Sequence, residues 1–462
     1  MQTRRFLLSL FSVFFVLGAV ALAPLTAQAA KCNWTVKGKL DVDHQLAELK
    51  QAYGTSALEN VQIKVSAKHK VLGAWGTWNS WPIVRTKADG SWSVTQKKNC
   101  AKRRFKVEVK FQDDVVEVRH RTATSSTTKV KWYTILDETS GSHSSGTFNL
   151  GTKTFKAGGA RDLKDDEARA HADIWVLYKL AAAKAASFGS AYKFTTKIKV
   201  KYPHNSAVAP DSSEASYANP TTKVIYIFRS NDGTQDHFKV STLLHELGHI
   251  WAYNHTSGEI CLTETLVTTF NTHGTVNDPC VAFHEGWAEY FADEMKRALF
   301  GGTKTLPYAR PMLVAKGLDT KSKVQHNDDG WWSVFHTLST PDLHKYEFGT
   351  ASSSTPNNRI TATAAPQVNC SSPNISFKQM MSVFNAGNGY DKLSRSDTTI
   401  AKFFDRAAAR LSNLSSSQSN SVEKLVNPAS TVQPRDEFCS PLTPTPITEP
   451  IKDPIKDSRF RK

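Results

Sequence analysis

The chain has 462 residues, 58 Lys and Arg against 42 Asp and Glu, a formal net charge of +16, and six cysteines. That length carries material for about two or three domains and a sizeable core. The positive charge favours an acidic surface or envelope component as a partner, but the lysines are scattered rather than clustered and no specific nucleic-acid motif is present.

The chain opens with Arg4 and Arg5, an apolar run from Phe6 to Leu22, Pro24, and then Ala27-Gln28-Ala29. A charged start, a short apolar core and a small-x-small site make residues 1–29 an expected signal peptide, since the run falls short of the roughly 20 apolar residues that a membrane span needs. Lys31 directly before Cys32 argues against a lipoprotein anchor. No later stretch is long and apolar enough to cross a bilayer, so the mature chain is expected to be exported, periplasmic or secreted, without a transmembrane span. That compartment permits disulfides. Neighbourhood along the chain suggests Cys32 with Cys100, Cys261 with Cys280 and Cys370 with Cys439, among the 15 connectivities that six cysteines allow. None of them forms the CxxC pair of a zinc ribbon.

From residue 30 to about 155 the apolar period is two: Val61, Ile63 and Val65 alternate with polar residues, as do Phe105, Val107, Val109 and Phe111. Lys87-Ala88-Asp89-Gly90 followed by Ser91-Trp92-Ser93-Val94 is a hairpin pattern. The expectation is an antiparallel β-sandwich. Trp75, Trp78, Trp81 and Trp92 are either its core or a ligand platform. The order Val36-Lys37-Gly38, Glu59 to Val65 and Thr86 to Val94 resembles the carboxypeptidase regulatory-like, transthyretin-like sandwiches appended to exported peptidases, which implies an accessory module without catalytic residues.

A polar stretch, Glu138 to Thr152, precedes a change of period. From Asp162 to about Ser187 the apolar residues Ile174, Trp175, Leu177, Tyr178, Leu180 and Ala181 recur at helical spacing. Strands follow at Thr196 to Tyr202 and Lys223 to Phe228. The expected organisation is thus multi-domain: the sandwich over 30–155, an α+β domain over 156–439, and a disordered tail over 440–462, where repeated prolines break both helix and ladder.

The chemistry sits in Ser241 to Trp251, which contains His245-Glu246-Leu247-Gly248-His249. On a helix, residues four apart lie about 40° apart, so His245 and His249 can share one metal while Glu246, about 100° away, reaches the attacking water. A catalytic zinc needs a third protein ligand. Two candidates stand: Glu285, in Phe283-His284-Glu285-Gly286-Trp287-Ala288-Glu289, and His255, six residues beyond His249. A continuous helix turns His255 about 280° away from His245, and Ala252 stands where a chain-breaking glycine would help it back.

His284 to Asp293 resembles the second metal helix of gluzincins, the zinc peptidases with HExxH and a downstream glutamate. The resemblance spans about residues 160–345 and is specific only at His245–His249 and Glu285–Asp293. It departs from relatives at His284, where an asparagine is common. It implies a zincin-like domain holding Zn2+ through His245, His249 and Glu285, with Glu246 as general base for hydrolysis of a protein or peptide substrate. With Phe283 to Leu299 helical, Glu289 shares a face with Glu285 and can orient a ligand histidine. His326 and His336 are candidates for stabilising the oxyanion. The alternatives are a non-catalytic binding or adhesion protein on the same scaffold, and a zinc hydrolase of non-peptide amides or esters.

Overall fold

A computed structural model describes residues 30–120, 130–138, 143–144, 146–156, 166–203, 216–219, 221–228, 238–257, 278–302, 321–339, 350–351, 360–361, 368–370, 374–385, 391–411 and 439–441. The expected signal peptide, Cys261 and the tail beyond 441 lie outside these residues. The architecture is a β-rich N-terminal region followed by helices.

In chain order the β-rich region holds β1 (Lys31–Asp43), α1 (Ala47–Tyr53), β2 (Thr55–Ala57), β3 (Gln62–Val71), three two-residue strands β4 (Ala74–Trp75), β5 (Asn79–Ser80) and β6 (Val84–Arg85), then β7 (Ser91–Asn99), β8 (Arg103–Lys110), β9 (Val116–Arg119), β10 (Tyr133–Asp137) and β11 (Gly146–Phe155). The helical region holds α2 (Asp166–Ser187), β12 (Ile198–Lys201), β13 (Tyr217–Asn219), β14 (Val224–Tyr226), α3 (Val240–His255), α4 (Pro279–Phe300), α5 (Lys321–Gln325), α6 (Asp328–Ser339), α7 (Phe377–Phe384) and α8 (Ile400–Arg410).

The contacts divide the chain into two compact units. The first comprises residues 1–41, 57–110 and 132–164. It carries two sheets, one ordered β11-β1-β2 with β7 also on β1, the other β10-β8-β3-β4 with β5 and β6 also on β3. The alternation seen in the sequence sets the register: β1 runs antiparallel to β7 with Val36 opposite Val94, and β3 antiparallel to β8 with Val65 opposite Val107. All four of these valines are buried. Trp34 of the first sheet meets Phe105 of the second edge-on at 6.1 Å, so both apolar faces feed one core. Gly90 closes the expected turn at φ +79°, where a Cβ would lie 2.4 Å from the Leu40 carbonyl oxygen. Only glycine fits there. A disulfide joins Cys32 to Cys100. Of the four tryptophans, Trp81 and Trp92 are buried, while Trp75 and Trp78 lie beneath Arg104 and Lys68 at 4.2 and 4.5 Å.

The second unit comprises residues 42–56, 111–131 and 165–462. Where the sequence suggested one boundary near residue 155, two earlier segments belong here. The reason is visible in β9, whose buried Val116 and Val118 pair in parallel with Ile198 and Val200 of β12. The sheet runs β13-β14-β12-β9, with β12 parallel to β14 and β13 antiparallel to it. Helix α2 is described from Asp166, with Asp162 outside the described residues, and its Tyr178 hydroxyl donates to the Leu243 carbonyl at 2.9 Å, fixing it against α3.

Two glycines set the spacing of the central helices. A Cβ on Gly248 of α3 would lie 3.1 Å from Ala288 Cα and from Phe291 Cβ, so α3 and α4 cross in close contact. A Cβ on Gly286 of α4 would lie 2.5 Å from Trp331 Cβ and 2.7 Å from Trp332 N, so α6 presses on α4 just as closely. Aromatic rings fill the remaining space: Trp251 packs on Trp287 at 5.3 Å, Phe283 on Trp331 at 4.8 Å and Trp287 on Phe384 at 4.1 Å. Asp278 accepts from Cys280 N at 2.8 Å and Pro279 takes the first position, so α4 starts at a capped end. Cys280 is disulfide-bonded, with its partner outside the described residues. Residues 368–370 and 439–441 form an antiparallel ladder that sets Cys370 opposite Cys439. Among the described residues no helix is long and apolar enough to cross a membrane.

Candidate metal centre

Helix α3 has Leu243, Leu244, Leu247, Ile250 and Trp251 buried, and this apolar majority fixes its rotation. His245, four residues before His249, lands on the face turned to α4 and remains half-buried. From α4, Glu285 projects toward the same point. The His245 Nε2 to Glu285 Oε2 distance is 3.2 Å, His245 Nε2 to His249 Nε2 is 3.2 Å, and His249 Nε2 to Glu285 Oε2 is 3.3 Å.

This near-equilateral triangle can be tested against a metal. Donors held about 2.0 to 2.1 Å from one ion at tetrahedral angles lie about 3.3 to 3.4 Å apart. Two imidazole nitrogens and a carboxylate oxygen at 3.2 to 3.3 Å meet that requirement. His245, His249 and Glu285 could therefore hold a metal ion. Side-chain exposure falls from 28% for Glu285 to 6% for His249, which opens the cluster on the glutamate side.

The surroundings favour an ionised Glu285 carboxylate and a neutral His284 ring. Burial alone would raise Glu285, but His249 and His245 outweigh it and hold the carboxyl well below its ordinary range. Burial, with the neighbouring His249 behind it, pushes His284 down to about 3, so this ring is neutral at physiological pH. Glu246 is 4% exposed. Tyr253 is raised by burial first and then by the negative charges of Glu285 and Glu246. Its ring stacks on His249 at 6.1 Å with 15° between planes, and Lys223 Nζ lies 4.8 Å above its centroid. Lys223 itself is held at φ +54° and lowered by burial.

His255 is kept away from the cluster. The helix continues through it, and its ring is tied at Nδ1 to Asn385 Oδ1 (2.8 Å) and at Nε2 to the Lys193 carbonyl (3.2 Å) while stacking on Trp251 at 4.2 Å. Glu289 is half-buried one turn beyond Glu285. His336 is fully buried, 3.3 Å from Asp293 and packed on Tyr290, and His326 turns its Nδ1 to the Ser322 carbonyl at 2.6 Å. Neither histidine belongs to the metal cluster. Tyr253 and Lys223 were not singled out in the sequence. Tyr253 could have been, because it continues the His245, His249 stripe by four residues; Lys223 reaches the site only through the register of β14, which no local pattern reveals.

Comparison with known proteins gave no matching family model and no matching curated protein.

Proposed function

We propose that the chain is an exported zinc peptidase of the gluzincin type, with His245, His249 and Glu285 as ligands and Glu246 as general base. The observation that carries this reading is the triangle of donor atoms from two helices, joined to a buried carboxylate that follows the first ligand by one residue. Two imidazoles and one glutamate form a ligand set typical of catalytic zinc, which leaves a fourth position for the reaction. The zincin-like assignment of the helical unit and the sandwich assignment of the β-rich unit belong to the same reading. The Cys32–Cys100 disulfide and the leader-like residues 1–29 support export.

Bound at this cluster, zinc supplies Lewis acidity that polarises a scissile carbonyl and brings the pKa of water down to about 7. The rest is the work of the chain. Glu246 accepts a proton from the attacking water and delivers it to the leaving amine. Glu285 and the two imidazoles fix where that water and carbonyl meet. Tyr253, whose ring stacks on His249, is the phenol of this site that could donate toward charge developing on the carbonyl oxygen.

The test pairs metal content with cleavage of casein or a peptide library. The expected result is about one zinc with no turnover in Glu246→Gln, and loss of zinc in Glu285→Ala. A wild-type protein that binds zinc and cleaves nothing would overturn the peptidase assignment, and Glu285→Ala that keeps full zinc would overturn the ligand set.

A further inference from the structure

Within the second unit but in a separate side-chain cluster from His245, His249 and Glu285, three side chains from distant parts of the sequence form a chain of hydrogen bonds. Asp173, on α2, is fully buried, and its Oδ1 lies 2.6 Å from His44 Nδ1. His44, also fully buried, has its Nε2 2.8 Å from Ser56 Oγ. Ser56 is half-buried. The other carboxylate oxygen, Asp173 Oδ2, accepts from the backbone N–H of Gln45 at 2.8 Å and of Leu46 at 2.9 Å.

The roles follow from donor and acceptor chemistry. An ionised carboxylate only accepts, so His44 must carry its proton on Nδ1 and donate it to Asp173. In the neutral ring Nε2 is then a bare acceptor aimed at the Ser56 hydroxyl. Two backbone N–H groups lock the carboxylate that locks the ring. This is an accessible hydroxyl, a base within reach of its proton, and a buried acid that sets the base's tautomer, the arrangement by which nucleophilic serines are recognised irrespective of fold or chain order. A fully buried His44 needs a partner at Nε2 whatever its role, so what marks the network as a nucleophile–base pair is that this partner is the hydroxyl of a less buried serine, and the reactivity of Ser56 is the property that a tether would lack.

We propose that Ser56, His44 and Asp173 form a second catalytic site, independent of the metal centre, that hydrolyses carboxylic esters with small apolar acyl groups. Tyr53, 43% exposed with its ring 6.3 Å from that of His44, is the apolar surface for the acyl group. Ser56 Oγ attacks the ester carbonyl carbon while its proton passes to His44 Nε2. The bond to the alkoxy oxygen breaks, and the alcohol leaves with the proton from Nε2. Water then attacks the acyl-Ser56, giving its proton to Nε2; the acid departs and Oγ regains the proton. The sum is ester plus water to alcohol plus acid.

The experiment treats the intact protein with a fluorophosphonate, whose phosphorus would bond to Ser56 Oγ with loss of fluoride, and maps the adduct by peptide mass spectrometry. Hydrolysis of p-nitrophenyl acetate is followed in parallel. Labelling of Ser56 is expected in wild type and in Glu246→Gln, absent in Ser56→Ala, and slowed by about 100-fold or more in Asp173→Asn, whose amide is nearly isosteric and which tests the base through its tautomer. Circular dichroism and thermal melting establish that each variant is folded. Folded wild type without an adduct at Ser56, or labelling equally fast in folded Asp173→Asn, would overturn the proposal, and neither result bears on the metal centre.

Discussion

Gly286 is the residue whose replacement most sharply tests how the metal ligands are held. Gly286→Ala adds one carbon 2.5 Å from Trp331 Cβ, 2.7 Å from Trp332 N and 2.8 Å from Asp328 O. Two of these three atoms are backbone, so no side-chain rotation relieves the overlap; α6 must move away from α4 by several tenths of an ångström. Overpacking of this kind costs about 1 to 3 kcal/mol, against which the better helix propensity of alanine returns about 1 kcal/mol. The difference is a net loss of about 0 to 2 kcal/mol, and the rigid obstruction puts the expectation near the upper end, about 2 kcal/mol. Glu285 precedes the substituted residue, and its Oε2 must remain 3.2 to 3.3 Å from both imidazoles, so metal affinity should fall, tenfold for each roughly 1.4 kcal/mol of that cost borne by the ligand geometry. Gly248→Ala is the control, since its Cβ meets Ala288 Cα and Phe291 at 3.1 to 3.2 Å and one of those neighbours is a side chain. Urea denaturation gives the stability, and competition with a chromogenic chelator gives the affinity. A Gly286→Ala protein as stable as wild type and equally tight for metal would refute the claim that the α4–α6 approach positions Glu285.

His171 is fully buried, gives its Nε2–H to the Tyr202 carbonyl at 2.7 Å, and is pushed down to about 4, chiefly by burial. Between pH 6.5 and 4 the unfolded chain binds a proton that the folded chain does not, so this group's contribution is complete above 6.5 and is lost as pH falls through that window, by about 3 kcal/mol in all; denaturation series across pH 4 to 7 should show the acid limb shrink in His171→Gln, and an unchanged limb would contradict the assignment. Replacing Cys32 and Cys100 together by serine should lower the denaturant stability of the β-rich unit by about 2 to 4 kcal/mol, because the bond spans 68 residues of chain. His255→Asn should leave metal content unchanged while lowering stability, since the ring packs on Trp251 and is tied to Asn385; lost metal would return it to the ligand set.

Patterns with a fixed period could be read before the structure. His245 and His249 share a face because four residues make slightly more than one helical turn, and Val61, Ile63 and Val65 point inward because strands alternate. The hairpin turn at Gly90 was legible for a different reason, the positive φ that only glycine adopts freely. Glu285 was legible as far as its helix was. Its distance from His249 was not, because it depends on Gly248 and Gly286 bringing α4 against α3 and α6, and glycine in a helix has no pattern that announces a crossing. The pairing of β9 was not legible: four residues of strand look alike whether they pair with β8 or with β12, and only the parallel partner decides.

The same distinction explains why the two candidate sites differed in visibility. The candidate metal cluster draws His245, His249 and the proposed base Glu246 from five consecutive residues, so helical geometry exposes most of it. Ser56, His44 and Asp173 are brought together across 129 residues of sequence by the docking of α2 against the 44–56 segment. No spacing rule connects them, and each alone is an ordinary residue. What makes them noteworthy is direction: the carboxylate is saturated by two backbone donors, the ring is held by the carboxylate, and its remaining nitrogen faces a hydroxyl that is less buried than either. Buried polar groups must find partners: Asp173 is satisfied by His44 and two backbone N–H groups, while His44 Nε2 has Ser56 Oγ as its hydrogen-bond partner. That third link serves a tether and a nucleophile–base pair alike, and a fluorophosphonate separates the two by whether Ser56 reacts.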